Sequence, residues 1–375
     1  MFGSEPSGVW SAPGRVNLMG EHTDYNAGLC LPIALPHRTY AAVRLRADRR
    51  LRMRSLQSSQ QYELDLDDVR VGNPPGWGSY AAGVLWALRD AGHQVCGLDL
   101  MVDGRVPLGA GLSSSAALEC SVAAAVSDLL DLGLLRDDHA RATLAAICVN
   151  AENTIAQAPT GGMDQAAALR CKIGHALLLD CRDGSIVQVP FDLPAHGLSL
   201  LVMDTRVEHA LEDGQYAQRR ASCEEAARQL GLPSLREVAF NDLDETLDQL
   251  SDHRIRARAR HIVSEIERVR KTATLLLEGR VPEVGSLFNA SHVSMRDDFD
   301  ISCAELDLAV EAATTHGALG ARMTGGGFGG SAIALVPTSS TAEVISAVTY
   351  AFAERGLGAP DCFAVNAGGP ARRES

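Results

Sequence analysis

Positive charge, paired cysteines and long apolar runs are all scarce in this chain, and each scarcity excludes a class of function. The formal net charge is −13, the wrong sign for a general binder of nucleic acid or of an anionic membrane. Nine cysteines are scattered without a Cys-x-x-Cys pair. Most sit in apolar stretches such as Ala-Ile-Cys148-Val, so they are read as small buried hydrophobes in a reducing compartment, not as disulfides or zinc ligands. Residues Met1 to Trp10 carry neither a basic nor an apolar leader region, so no signal peptide is expected and a cytoplasmic location is. The longest greasy run, residues 116–135, contains Glu119, Asp128 and Asp131, which makes it a buried helix, not a membrane span. Repeats and low-complexity segments are missing too. An acidic chain of this kind binds phosphate only locally, through backbone N–H groups, a helix N-terminus, a metal or a placed arginine.

What is present is an ordinary globular composition, 46% hydrophobic and 22% charged over 375 residues, enough for a sizeable core and about two domains. Strands are expected at 9–11, 28–33, 40–45, 51–55 and 98–102, then at 175–180, 186–189 and 198–203. Helices are expected at 80–91, 114–130 and 138–155. The clearest helix is 252–278, where Ile255, Ala259, Ile262, Ile266, Val269, Ala273 and Leu276 form one stripe. Arg254, Arg258, Glu265, Arg268 and Lys271 lie off that stripe and are expected on a solvated face. A strand–loop–strand at 318–336, a helix at 340–355 and a strand near 361–365 complete the pattern. The regular βαβα alternation of a doubly wound sheet is lacking, so the fold class is α+β in two lobes, residues 1–195 and 196–375, with a seam near 193–197.

Three segments carry chemistry. In Pro107-Leu-Gly109-Ala-Gly111-Leu-Ser113-Ser114-Ser115-Ala, glycines permit a tight turn and three serines open a helix whose first N–H groups point outward. That makes either an anion cradle for ATP phosphates or a simple turn with a capped core helix. The spacing is not that of a P-loop, and the P-loop lysine is missing. In Pro13-Gly14-Arg15-Val-Asn17-Leu-Met-Gly20-Glu21-His22-Thr23-Asp24-Tyr25, side chains able to donate and accept crowd beside a strand, as a polyhydroxylated ligand requires. A charged surface turn is the other reading. In Met323-Thr-Gly325-Gly-Gly-Phe-Gly-Gly330, five glycines in six positions cost more chain entropy than a hairpin needs, which points to close packing against a ligand or another loop.

Together these segments resemble the GHMP kinase superfamily and, within it, the galactokinases. The resemblance runs from about Val9 to Ala364 and includes Ala151-Glu152-Asn153, Met163-Asp164-Gln165 and Met295-Arg-Asp-Asp-Phe299. It implies an N-terminal ribosomal-protein-S5-like lobe, a C-terminal ferredoxin-like lobe and an active site in the cleft between them. It also implies ATP-dependent phosphorylation of D-galactose at the C1 hydroxyl, with ATP and Mg2+. No nucleic acid or membrane partner is expected, and the chain is expected as a monomer, an oligomer being the other reading. N-acetylgalactosamine or arabinose kinases use similar machinery, and a non-catalytic sugar sensor can share the fold.

The site roles follow from the same resemblance. Asp164 faces the accepting hydroxyl and Arg15 stands beside it and the transferred phosphate. Glu21, His22, Asp24, Gly161 and Tyr216 contact sugar. Gly109, Gly111, Ser113, Ser114 and Ser115 hold the nucleotide, with Trp77 and Tyr80 near adenine. Ser115 and Glu152 hold Mg2+. His22 can equally be a structural histidine, Trp77 and Tyr80 core aromatics, Glu152 a surface helix carboxylate and Asp164 a helix cap. The chain departs from the family pattern at Gly162, where an apolar residue is more usual, and in its short lead-in, where Phe2-Gly3-Ser4-Glu5-Pro6 resembles the tail of an N-terminal helix.

Overall fold

The computed structural model describes residues 5–158, 160–207 and 214–375. The Phe2–Ser4 part of the lead-in, Pro159, and Glu212 and Asp213 upstream of Tyr216 lie outside the described residues. Three sheets organise the chain. Strand Gly8–Asn17 pairs with Pro32–Leu45, which pairs with Leu98–Gly104, followed by Arg50–Ser55 and Tyr62–Asp65. Within this sheet Arg50–Ser55 runs parallel to Leu98–Gly104 and the other pairs are antiparallel. A second, antiparallel sheet has the order Gly320–Thr324, Ser331–Pro337, Leu198–Asp204, Asp361–Val365. Leu29–Cys30, His175–Asp180 and Ile186–Pro190 make the third.

The expected strand at 28–33 is two pieces, because the Leu31 N–H leaves the ladder for the Asn17 side chain (3.2 Å) and the Met19 carbonyl (2.9 Å). The strand expected at 40–45 is the end of the longer Pro32–Leu45. The helix read from the greasy run ends at Leu129 and buries twelve residues, Glu119 among them. All nine cysteines are free, five of them buried. Among the described residues no helix is long and apolar enough to cross a membrane.

Residues 193–197 form a short turn, Pro194–His196, between two strands. The hydrophobic core runs across that turn, joining Val16, Leu18 and Ile33 to Leu200, Ile262 and Ile333. The last strand, Arg372–Arg373, returns to pair with Trp10 and Ser11, so the chain's final residues pack on the sheet its first residues begin.

Helix His253–Leu277 corrects one expectation. Its apolar stripe is packed as read, and Asp252 caps its N-terminus by accepting from the N–H groups of Arg254 (2.7 Å) and Ile255 (3.2 Å). Arg258 and Glu265 are buried too, so the supposed solvated face is covered at two positions. Glu265 tolerates burial because it accepts from Arg268 Nε (2.7 Å), Ser291 Oγ (2.8 and 2.9 Å) and the Gly20 N–H (3.0 Å). Arg322, fully buried, forms ion pairs with Glu265 at 3.3 Å and, more closely, with Glu21. This network ties the signature loop to the helix and to the strand before the glycine loop. Burial alone pushes Glu265 up, but Arg268 and Arg322 hold its carboxyl far below the usual range. Removing one partner from such a buried group leaves uncompensated charge. Arg322→Met is therefore expected to lower the unfolding free energy by about 3–5 kcal/mol, read from the denaturant midpoint. A loss below about 1 kcal/mol, the ceiling for an exposed pair, would show the network to be neutral.

Candidate active site

The site starts with a bulge. Pro13 cannot donate to a sheet ladder, and the register between Gly8–Asn17 and Pro32–Leu45 shifts between Pro13 and Arg15. The freed Arg15 N–H donates instead to the Leu112 carbonyl in the serine loop, at 3.0 Å. A Cβ on Gly14 would stand 2.6 Å from that same oxygen, so only glycine admits the loop here. The third motif closes on the same loop. A Cβ on Gly325, whose φ is +89°, would stand 2.7 Å from the Gly111 carbonyl, and Ser331 Oγ donates to the Ala110 carbonyl at 2.7 Å. Gly327, at φ +85°, is equally tight, since a Cβ there would stand 2.5 Å from the Ile301 carbonyl, so two of the five glycines serve packing against other segments.

Arg15 joins these pieces. Its Nε and Nη2 donate to Asp164 Oδ1 (2.8 Å) and Oδ2 (3.0 Å), and its Nη1 donates to the Gly111 carbonyl (2.6 Å). The fork fixes the plane of the carboxylate. Ser113 Oγ donates to Asp164 Oδ2 as well. Asp164 lies in the first turn of helix Met163–Arg170. Gly162, just before it, has an ordinary φ of −107°, and a Cβ there would meet only Val149 at 3.8 Å. Asp164 is thus held by its partners on other segments.

Arg15, Glu21, His22, Asp24, Tyr80, Ser115, Glu152, Gly161, Asp164 and Tyr216 all line one cavity of about 520 Å3. Trp77 and Ser114 line a second, more apolar cavity of about 210 Å3 with Leu108, Val106 and Leu118. The two expected adenine neighbours therefore part, Tyr80 to the large cavity and Trp77 to the small one. Trp77 Nε1 is buried with no hydrogen-bond partner among the described residues. Gly109, Gly111 and Ser113 line neither cavity.

The individual environments are distinct. The carboxylate of Glu21 is buried among Arg322, Asn17 Nδ2 (2.9 Å), Thr324 Oγ1 (3.2 Å) and the Gly325 N–H (2.9 Å), so it braces the cavity wall with both oxygens. Burial raises its pKa, with Arg322 opposing. His22 Nε2 faces the Gly326 carbonyl at 3.1 Å and Nδ1 faces Tyr25 Oη at 2.7 Å. A carbonyl only accepts, so Nε2 carries the proton and Nδ1 accepts from the phenol. Burial brings the His22 pKa down to about 4, and its ring lies 4.8 Å from that of Tyr216. Gly161 packs on Asp24, since any Cβ there would overlap the Asp24 carboxylate. Burial, then the nearby Asp164 charge, pushes Asp24 up to about 6.

Glu152 is held by Ser115, by Thr160 Oγ1 (2.6 Å) and by Gln165 Nε2 (2.7 Å), which also donates to Glu119 Oε2 (3.0 Å). Thr160, Gln165, Glu119 and Arg322 were given no site role from sequence. Gln165 adjoins Asp164, and Glu119 follows Ser115 by one helical turn, so spacing alone could have flagged both.

Comparison with known proteins sharpens the reading. Residues 1–45 match the model of the galactokinase galactose-binding signature, 79–172 the GHMP kinase N-terminal domain and 272–354 the GHMP kinase C-terminal domain. A galactokinase of Streptomyces coelicolor is 50% identical over 375 residues, covering 100% of this chain and 96% of that one. The chain belongs to the galactokinase family. A Lactococcus lactis galactokinase, solved in complex with galactose, is 32% identical with a TM-score of 0.94, covering 99% of this chain and 96% of that one. A mevalonate kinase at 16% identity and TM-score 0.64, covering 96% and 98%, shares the fold. This member of the family has the GHMP kinase fold, with its first and third motifs both packed on the serine loop.

The Asp24 environment yields a pH prediction. Its folded pKa of about 6 lies above the ordinary 3.8, so the folded state binds the extra proton and stability falls as pH rises between those values. His22, at about 4 against an ordinary 6.5, acts in the opposite sense, its contribution being present above 6.5 and lost as pH falls through 4. Asp24→Asn keeps the acceptor for the Tyr25 N–H and removes only the first effect. The thermal midpoint of the unliganded variant should rise relative to the parent as pH climbs from 3.8 through about 6, and stay above it. A pH-independent difference would contradict the assignment.

Proposed function

We propose that the chain transfers the γ-phosphoryl group of ATP to the C1 hydroxyl of D-galactose, giving galactose 1-phosphate and ADP. The observation that carries this is the Arg15–Asp164 fork, 2.8 and 3.0 Å, at the wall of a cavity that the signature loop also lines. The galactose complex of the Lactococcus relative and the matched galactose-binding signature support the choice of sugar.

Asp164 accepts a hydrogen bond from the sugar hydroxyl and aims its oxygen at the phosphorus. Phosphoryl transfer through a loose transition state needs little activation of the nucleophile. The sugar O–P bond forms as the bond to the ADP oxygen breaks, and the hydroxyl proton passes late to Asp164. Arg15 offsets the charge that develops on the transferred group. Tyr216 and His22 give one apolar wall, Asp24 and the Gly161 backbone a polar one. The small cavity, with Trp77 and Leu108 beside Ser114, suits a planar base next to the serine loop.

The donor set also fits Mg2+. Ser115 and Glu152 are adjacent oxygen donors in a cavity with several carboxylates and one guanidinium. That suits an ion that keeps waters and takes phosphate oxygens. When bound it would neutralise charge on the phosphates.

Asp164→Asn is expected to lower kcat by roughly 10²–10⁴-fold, read as ADP release with galactose. Near-native turnover would remove Asp164 from the mechanism. The parent should turn over galactose and fail with glucose, because a site built to bond one hydroxyl leaves polar groups unpaired when that hydroxyl points elsewhere. Comparable turnover with glucose, N-acetylgalactosamine or mevalonate would overturn the choice of acceptor.

A further inference from the structure

Ser113 is in an unusual position for a serine. It precedes helix Ser114–Leu129 at the N-cap, yet its φ of +58° and ψ of +50° place it in the left-handed region, and its side chain makes no capping bond. A serine at an N-cap ordinarily has an extended backbone and accepts from an N–H two or three residues on. A non-glycine residue in the left-handed region is strained, and such strain persists only where the surroundings over-determine it. The hydroxyl is instead turned away from the helix onto Asp164 Oδ2, and the residue is buried, 9% exposed. It opens onto neither cavity.

The acceptor count on Asp164 explains what this achieves. A carboxylate offers about four lone-pair sites. Arg15 Nε takes one on Oδ1 and Nη2 one on Oδ2, and Ser113 takes the second on Oδ2. One remains, on Oδ1. A guanidinium fork fixes the carboxylate plane but lets it rock about the fork. A third donor, arriving from a different element, stops the rocking.

We propose that Ser113 is a positioning residue for Asp164, locking the carboxylate so that a single oxygen lone pair is left for the accepting hydroxyl. The lock also ties the aspartate to the loop that carries Gly111, the other carbonyl partner of Arg15. The proposal rests on the reading of Asp164 as the group that faces the acceptor. It gives Ser113 a task distinct from holding nucleotide.

Ser113→Gly is the informative variant, since glycine suits the left-handed backbone while the CH2OH side chain, hydroxyl included, is lost. Its thermal midpoint should equal or exceed the parent's, and dissociation constants for galactose and a non-hydrolysable ATP analogue should stay within about threefold. Its kcat should fall about 10–100-fold, the scale of a small misplacement at a reacting centre. Ser113→Ala should lose the same factor in kcat at a lower thermal midpoint. In an Asp164→Asn background, Ser113→Gly should cost little more, because a residue acting through Asp164 has nothing left to position.

Three kinetic or binding results would overturn the proposal: kcat within twofold of the parent in both variants, a nucleotide dissociation constant that rises as much as kcat/KM falls, or an equal loss in the Asp164→Asn background. Failure of the underlying reading looks different. There, Asp164→Asn itself would turn over like the parent. A thermal-unfolding double-mutant cycle of Ser113→Ala and Asp164→Asn then reports on the contact alone, and absence of coupling would refute the lock whatever the acceptor.

Discussion

One guanidinium organises the site. Arg15 bonds the carboxylate of Asp164 with two nitrogens and the carbonyl of Gly111 with the third, so a strand, the helix Met163–Arg170 and the serine loop share a single planar cation. Lysine could not do this, because an ammonium has no fixed fork. The bulge at Pro13–Gly14 is what points the arginine there. The glycines on either side of the serine loop, Gly14 and Gly325, let backbone meet backbone closely enough for the fork to reach.

Behind this front stands the buried Glu21–Arg322–Glu265 network. Desolvating three charges is costly, and a well-packed apolar trio is often at least as stable. What ions add is direction. The Gly20 N–H, the Gly325 N–H, Asn17 and the Leu18 carbonyl each find a charged partner in it, which fixes the backbone at both edges of the cavity. The same arrangement explains why Glu21, expected among the sugar contacts, has both carboxylate oxygens engaged by protein donors: it shapes the wall on which His22 and Asp24 are displayed.

The sequence made the elements legible where one face is buried. Strand His175–Asp180 and helix Asp138–Thr154 fall almost where periodicity puts them. Tyr62–Asp65 was not foreseen, because an edge strand of four residues with no fully buried side chain leaves no pattern. The solvated face assigned to His253–Leu277 was wrong at Glu265 and Arg258 because helical spacing sees one helix at a time. The compensating groups, Arg322, Ser291 and the Asp298 carbonyl, come from distant segments. The motifs named the chemistry-bearing residues, but not which partner each would take. Ser113 reads as a cap, and only the fold shows its hydroxyl on Asp164.

The remaining feature is electrostatic. Glu119, Glu152, Asp164 and Asp24 stand close enough to act on one another, and burial pushes the carboxyls of Glu119, Glu152 and Asp24 up from their ordinary values. Such a cluster would fly apart or take up protons if it had only carboxylates. Gln165 opposes this with a neutral amide that donates to Glu119 and Glu152 at once, without cancelling the upward shift that burial imposes on both, while Arg15 and Ser113 serve Asp164. The carboxylate that Arg15 and Ser113 hold thereby stands beside a loop whose helix N-terminus favours anions. A polyphosphate entering alone would meet repulsion from Glu152 and Asp164. Entering with a divalent cation, it would relieve the repulsion already present among the carboxylates.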